Sequence, residues 1–134
     1  MASKNFQNKV FHLEPGPMGL VQLFAKVTVT GDATPANSTA VLVGQGFSGA
    51  ARSDVGEYTI SLSDKYSRCL SSMVSLEAAA SLTTGQALKI VSMDPAAQEL
   101  VVAFTSEAGA PEDLTDAEVA VINVALFLDN SSAN

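Results

Sequence analysis

From Leu20 to Thr30 the alternation of apolar and polar residues is the clearest in the chain. Val21, Leu23, Ala25, Val27 and Val29 fall on one face, and Gln22, Phe24, Lys26, Thr28 and Thr30 on the other. A period of two sets one face on a core and the other toward water, so this stretch predicts a strand. The same period returns where Tyr58, Ile60 and Leu62 alternate with Thr59 and Ser61, entered through a polar turn that ends in Val55-Gly56. Residues 40–43 predict a short strand, after which Gly44, Gly46 and Gly49 relax the backbone, as in a bulge, before residues 50–52. Residues 63–70 predict a helical turn, with Ser63 or Asp64 as N-cap and Tyr66 and Leu70 spaced to face inward together. Residues 73–79 predict a strand on which Val74, Leu76 and Ala78 share a face. Residues 88–93 and 100–105 flank a turn-forming segment and predict a hairpin with a longer loop. Residues 119–128 are apolar on both faces apart from Asn123, as in a central strand packed on both sides.

Seven or eight strands at intervals of roughly ten to fifteen residues, with almost no amphipathic helix, predict an all-β, single-domain β-sandwich or jelly roll over residues 20–134. Residues 1–19 form an irregular N-terminal arm, because Pro15-Gly16-Pro17 breaks any regular element and Phe6, Val10, Phe11 and Leu13 follow neither period. Apolar residues in such an arm need a surface. They either fold back on the sandwich or reach a neighbouring subunit, and these four are the candidate interface residues.

Composition sharpens this picture. At 134 residues the chain has the size of one domain and can bury roughly two-thirds of the surface its unfolded form exposes. Hydrophobic residues make up 47% and charged ones only 16%, below the quarter or so usual in soluble domains. Such a surface is either covered by other protein or is a neutral Ser/Thr-rich one. Net charge is −7, unevenly placed: residues 1–89 sum to +1, and the remainder, with no basic residue after Lys89, to −8. This layout repels phosphates and argues against a nucleic-acid partner. No signal-peptide core follows Met1, and the longest apolar-rich stretch, residues 119–128, is too short to span a bilayer as a helix, so no membrane partner is expected.

The side chains that carry chemistry are scarce. A cupin-type metal site needs several histidines and the chain has one, His12, in the arm, where it also gives a poor base for a Ser or Cys nucleophile. The single cysteine, Cys69, excludes an intrachain disulfide framework and reads as a small buried apolar residue. Gly44-Gln45-Gly46-Phe47-Ser48-Gly49 has glycine spacing without a following helix to receive a phosphate. Glu112, Asp113, Asp116 and Glu118 are the one dense acidic group; they read as a solvated loop or a weak Ca²⁺ site without the spacing of an EF-hand. With no tryptophan and two tyrosines there is little aromatic platform for a sugar. No enzyme and no cofactor is expected.

The segment Gly56-Glu57-Tyr58-Thr59-Ile60-Ser61-Leu62-Ser63-Asp64-Lys65-Tyr66 resembles one that recurs in small virion proteins of tailed bacteriophages, including capsid decoration (cement) proteins: a glycine turn, a Tyr-x-Ile/Val-x-Leu strand, then Asp-Lys-Tyr. The apolar arm and the polar Asn-Ser-Ser-Ala-Asn end are similar too, and the likeness covers about a third of the chain. It implies a structural protein, assembled in the host cytoplasm, that binds the outside of an icosahedral shell and bridges neighbouring major capsid subunits. It further implies a homo-oligomer, dimer or trimer, whose arm orders on binding. The alternative expectation is a tail- or fibre-associated β-module that binds a host glycan or another tail protein.

Overall fold

The computed structural model describes residues 20–78, 82 and 87–129. Eight strands account for most of them: β1 (Leu20–Thr30), β2 (Thr39–Gly44), β3 (Phe47–Asp54), β4 (Glu57–Leu62), β5 (Arg68–Ala78), β6 (Ala87–Asp94), β7 (Glu99–Thr105) and β8 (Val119–Asp129). They form two four-stranded sheets, β2-β1-β8-β5 and β3-β4-β7-β6, in which every strand pairing is antiparallel. The chain is therefore an all-β sandwich. Three connections are hairpins within a sheet, β1–β2, β3–β4 and β6–β7; the other links cross from one sheet to the other.

The alternation seen in the sequence sets the core. From the first sheet, Leu23, Ala25, Val27 and Val29 of β1 and Ala120, Ile122, Val124, Leu126 and Leu128 of β8 point inward and are buried. From the second come Tyr58, Ile60 and Leu62 of β4 with Leu100, Val102 and Phe104 of β7. Tyr58 and Phe104 meet edge to face, ring centroids 5.7 Å apart at 89°. The long strands β1 and β8 run in register over their whole length, from Leu20 opposite Asp129 to Thr30 opposite Val119. A one-residue slip would turn their buried faces outward, which is what fixes this register.

Bulges fall where glycine or a broken period weakens the ladder. The β3–β4 register shifts between Phe47 and Gly49, as the glycine-rich run predicts, and again between Arg52 and Asp54. The turn between those strands places Gly56 at φ +67°, and a Cβ there would lie 2.6 Å from the Glu112 backbone nitrogen. Only glycine fits both the left-handed backbone and that close approach.

Two local expectations are corrected. The helical turn over residues 63–70 does not form: the chain bends at Ser63 and Asp64, buries Tyr66, and enters β5 at Arg68, while Leu70 is left exposed. Pairing with β8 wins, because the Ser67 amide and hydroxyl both donate to the Asp129 carbonyl and the Arg68 guanidinium meets the buried Asp129 carboxylate at 2.8 Å. Among the described residues the one helical piece is a 3₁₀ turn at Pro35–Asn37. The second correction concerns β8, which is central but, among the described residues, packed against another sheet on one side only: Val119 is exposed and Val121, Ala125 and Phe127 are half-buried on the outer surface.

Candidate functional site

The two outer faces of the sandwich differ in chemistry. On the second sheet, strand β4 turns Glu57, Thr59 and Ser61 outward, and they pair with Ala103, Val101 and Glu99 of β7; Lys89 and Ser92 of β6 flank them. That is a polar, Ser/Thr-bearing face. On the first sheet the outward positions mix polar and apolar residues, and several of the apolar ones are far more exposed than large apolar side chains usually are: Val43 at 71%, Val41 and Met73 at 60%, Phe24 at 57%.

Strand register assembles these residues into rows. Phe24 of β1, Ala125 of β8 and Met73 of β5 lie opposite one another across three strands. Ala125 is too short to fill the space between its neighbours, so Phe24 and Met73 stand as the two walls of an open groove of about 430 Å³, extended by Val43. Phe24 is held upright by Phe127, one pleat away, with ring centroids 6.3 Å apart at 88°. In the next row Lys26 of β1, Asn123 of β8 and Ser75 of β5 are opposite one another, with Val43 of β2 beside Lys26. Lys26 Nζ reaches across β8 to Glu77 Oε1 at 3.7 Å, and Asn123 Nδ2 donates to the same oxygen at 3.4 Å. A neutral polar bar thus crosses this face. Contiguous exposed apolar surface of this kind marks an interaction site more often than a catalytic one.

The acidic group of residues 112–118 has a different use. Asp113 accepts from Arg52 Nε at 2.8 Å and from the second guanidinium nitrogen at 2.9 Å, and the Gly56 amide donates to Asp113 Oδ1 at 2.9 Å. The two-pronged contact with Arg52, with help from Gly56, holds the Asp113 carboxyl below its usual pKa despite partial burial, and raises the already basic Arg52. Glu118 Oε1 accepts from the Thr115 amide at 2.8 Å. Of the four acidic residues, Asp113 therefore pins the loop to the β3–β4 hairpin, and Glu118 braces the loop from within. Among the described residues no three His, Cys, Asp or Glu side chains gather as metal ligands would. Cys69 is half-buried, and burial pushes its thiol up in pKa.

The four candidate interface residues Phe6, Val10, Phe11 and Leu13 lie outside the described residues, as does His12. The chain enters the described part at Leu20, whose side chain faces outward at one end of the same face. The face itself escaped sequence reasoning. One signal was present: Phe24 is a large apolar residue in the middle of the otherwise polar run Gln22, Lys26, Thr28 and Thr30 on one side of β1. Comparison with protein-family models, with curated proteins and with solved structures found no match to this chain.

Proposed function

We propose that this chain is a structural virion protein that binds the outer surface of an icosahedral phage capsid and bridges neighbouring major capsid subunits. The observation that supports the reading is the exposed apolar patch on the outer face of the first sheet, from Val41 and Val43 through Phe24 to Met73, on a chain of low charge content. A patch of that chemistry is stable in water only at a cost, and its use is to be covered by protein. The resemblance around Gly56 and Tyr66 supplies the shell as the setting. In that setting the protein acts by mass action: it binds the assembled lattice and not the dissociated subunits, so its binding free energy adds to shell stability. Weak contacts suffice when copies are linked, because each second contact is intramolecular.

The test is co-sedimentation of the purified full chain with intact shells that lack it. Saturable binding at a fixed copy number per shell is the expected result. A protein that stays in the supernatant at every concentration overturns the reading and favours the tail- or fibre-associated module.

A further inference from the structure

We infer that residues 10–14 of the arm add a short antiparallel strand to the open edge of β1 in the same chain, joined to it by a turn over residues 15–19. β1 is an inner strand along only part of its length. On the β8 side it is paired from Leu20 to Thr30, whereas β2 reaches it only from Ala25, opposite Gly44, to Thr30, opposite Thr39. Residues 20–24 therefore have a strand on one side and, among the described residues, none on the other. Beside them lies an open notch of about 490 Å³, lined by Gln22, Leu23, Phe24, Gln45 and Gly46. β2 does not fill it, because the chain turns away after Gly44. Gly46 takes a φ of +88° and its carbonyl accepts from the Ser63 amide at 2.9 Å, which carries the chain across to the second sheet. An open edge pairs readily with any extended segment, and proteins guard such edges with lysine, proline or a bulge. Residues 20–24 hold none of these, and Leu20 and Phe24 are exposed there.

The chain itself supplies a segment of matching length at the adjoining position. The arm runs directly into β1 at Leu20. Pro15, Gly16, Pro17 and Gly19 are turn-forming residues, and Pro15 biases Glu14 toward an extended backbone. A five-residue turn over residues 15–19 lies within the range usual for hairpins and returns residues 10–14 along residues 20–24, five positions for five. Side-chain chemistry sets the register. On β1 Val21 and Leu23 face the core, while Leu20, Gln22 and Phe24 face out. With Glu14 opposite Leu20, Leu13 falls beside Val21 and Phe11 beside Leu23 on the core side. His12 then falls beside Gln22, and Val10 beside Phe24, on the outer side. A shift of one residue either way puts His12 on the core side in place of Leu13 or Phe11. The strand ends at Val10, because the next position, opposite Ala25, is held by Gly44.

The short tether selects the same chain over a neighbour, since it holds residues 10–14 beside the edge at an effective concentration on the order of millimolar. The pairing adds Val10 to the apolar patch next to Phe24 and leaves Phe6 beyond the strand. It goes beyond the capsid reading and stands without it.

The experiment is disulfide trapping in the full chain, in a Cys69→Ser background. His12→Cys/Gln22→Cys places two thiols directly opposite one another, within bonding reach. Glu14→Cys/Lys26→Cys places them six positions apart along the strand, about 20 Å. Under the same oxidant the first pair is expected to close at least tenfold faster than the second, at the mass of one chain. Phe11→Asp/Leu13→Asp, added to both, is expected to abolish the difference. The same two substitutions in the otherwise unaltered chain are expected to speed amide exchange within residues 20–24 at least tenfold, read by NMR, while exchange in β8 is unchanged. Equal closure rates for the two thiol pairs, a link found at twice the chain mass, or amide exchange within residues 20–24 that ignores Phe11→Asp/Leu13→Asp overturns the inference. Neither readout involves shells, so its failure and that of the capsid reading are separate results.

Discussion

Arg52 and Asp113, sixty-one positions apart in the chain, form a two-pronged ion pair at 2.8 and 2.9 Å that ties the β3–β4 hairpin to the loop preceding β8. Both side chains are mostly shielded, at 18% and 13% exposed. A contact of this geometry is worth more than an ordinary surface pair, because both oxygens are engaged and a backbone amide from Gly56 shares the load. Asp113→Asn is expected to lower stability by about 1–3 kcal/mol at neutral pH. Urea unfolding of the two proteins side by side measures it, and equal midpoints would show that the pair contributes nothing.

The same carboxylate sets an acid limb. Its pKa is depressed in the folded protein, chiefly by Arg52, so its contribution is complete above the unfolded-state value of about 3.9 and is lost as pH falls through the lower folded-state value. The stability gap between wild type and Asp113→Asn is therefore expected to hold from neutral pH down to about pH 5 and to close below about 3.9. A gap that stays constant to the lowest pH reached would contradict the depressed pKa.

Two glycines on the same hairpin should respond oppositely to alanine. Gly56 has φ +67° with the Glu112 backbone in the way of a Cβ, whereas nothing lies within 4 Å of a Cβ at Gly49. Gly56→Ala is expected to cost more than about 1 kcal/mol, and Gly49→Ala to be neutral or to stabilise by up to about 1 kcal/mol through the unfolded chain. Thermal melts of the two variants decide it; a tolerated Gly56→Ala would count against the turn geometry.

Tyr58 carries a hydroxyl that the core does not need. It is fully buried, and among the described residues its oxygen and Ser38 Oγ, buried beside one another, make no well-formed hydrogen bond. Burial raises the phenol above its usual pKa, opposed in part by the neighbouring Ser38 hydroxyl. Tyr58→Phe keeps the edge-to-face contact with Phe104 while removing the unsatisfied group, so it is expected to change stability by less than about 1 kcal/mol. Tyr58→Ala, which removes the ring, is expected to cost about 3–5 kcal/mol. Comparable losses in both variants would place the value of the residue in its hydroxyl.

The two sides of the first sheet should be separable by mutation. Leu126 is fully buried on β8, and Leu126→Ala is expected to cost about 2–5 kcal/mol. Val43→Ser, on the exposed face, is expected to shift stability by no more than about 0.5 kcal/mol. Chemical denaturation of both checks this, and a large loss at Val43 would show that the outer face is needed for folding rather than kept for a partner.

Much of this architecture is legible in the sequence because period two is a local property. Leu20 to Thr30 begins and ends where the alternation does, and the hairpin of β6 and β7 lies where two apolar runs flank Asp94-Pro95. β5 is longer than its pattern because the bulge between Cys69 and Ser71 breaks the alternation in a serine-rich stretch that mimics a capped turn. The polar latch and the apolar patch depend on register between distant strands. Arg52 gives no sign in sequence that it will meet Asp113, and Phe24, Ala125 and Met73 become neighbours only when β1, β8 and β5 align. Sequence pattern assigns each residue to a face; which residues adjoin on that face follows from strand order.

The central claim is that the apolar patch of Val41, Val43, Phe24 and Met73 on the outer face of the first sheet is there for protein to cover it in an assembled shell. The most direct measurement is the copy number of the full chain bound per shell at saturation, for the wild type and for Phe24→Lys/Met73→Lys at equal concentration. The account predicts a fixed stoichiometry for the wild type and at least a tenfold weaker affinity for the variant. Equal binding by both, or binding by neither, would contradict it.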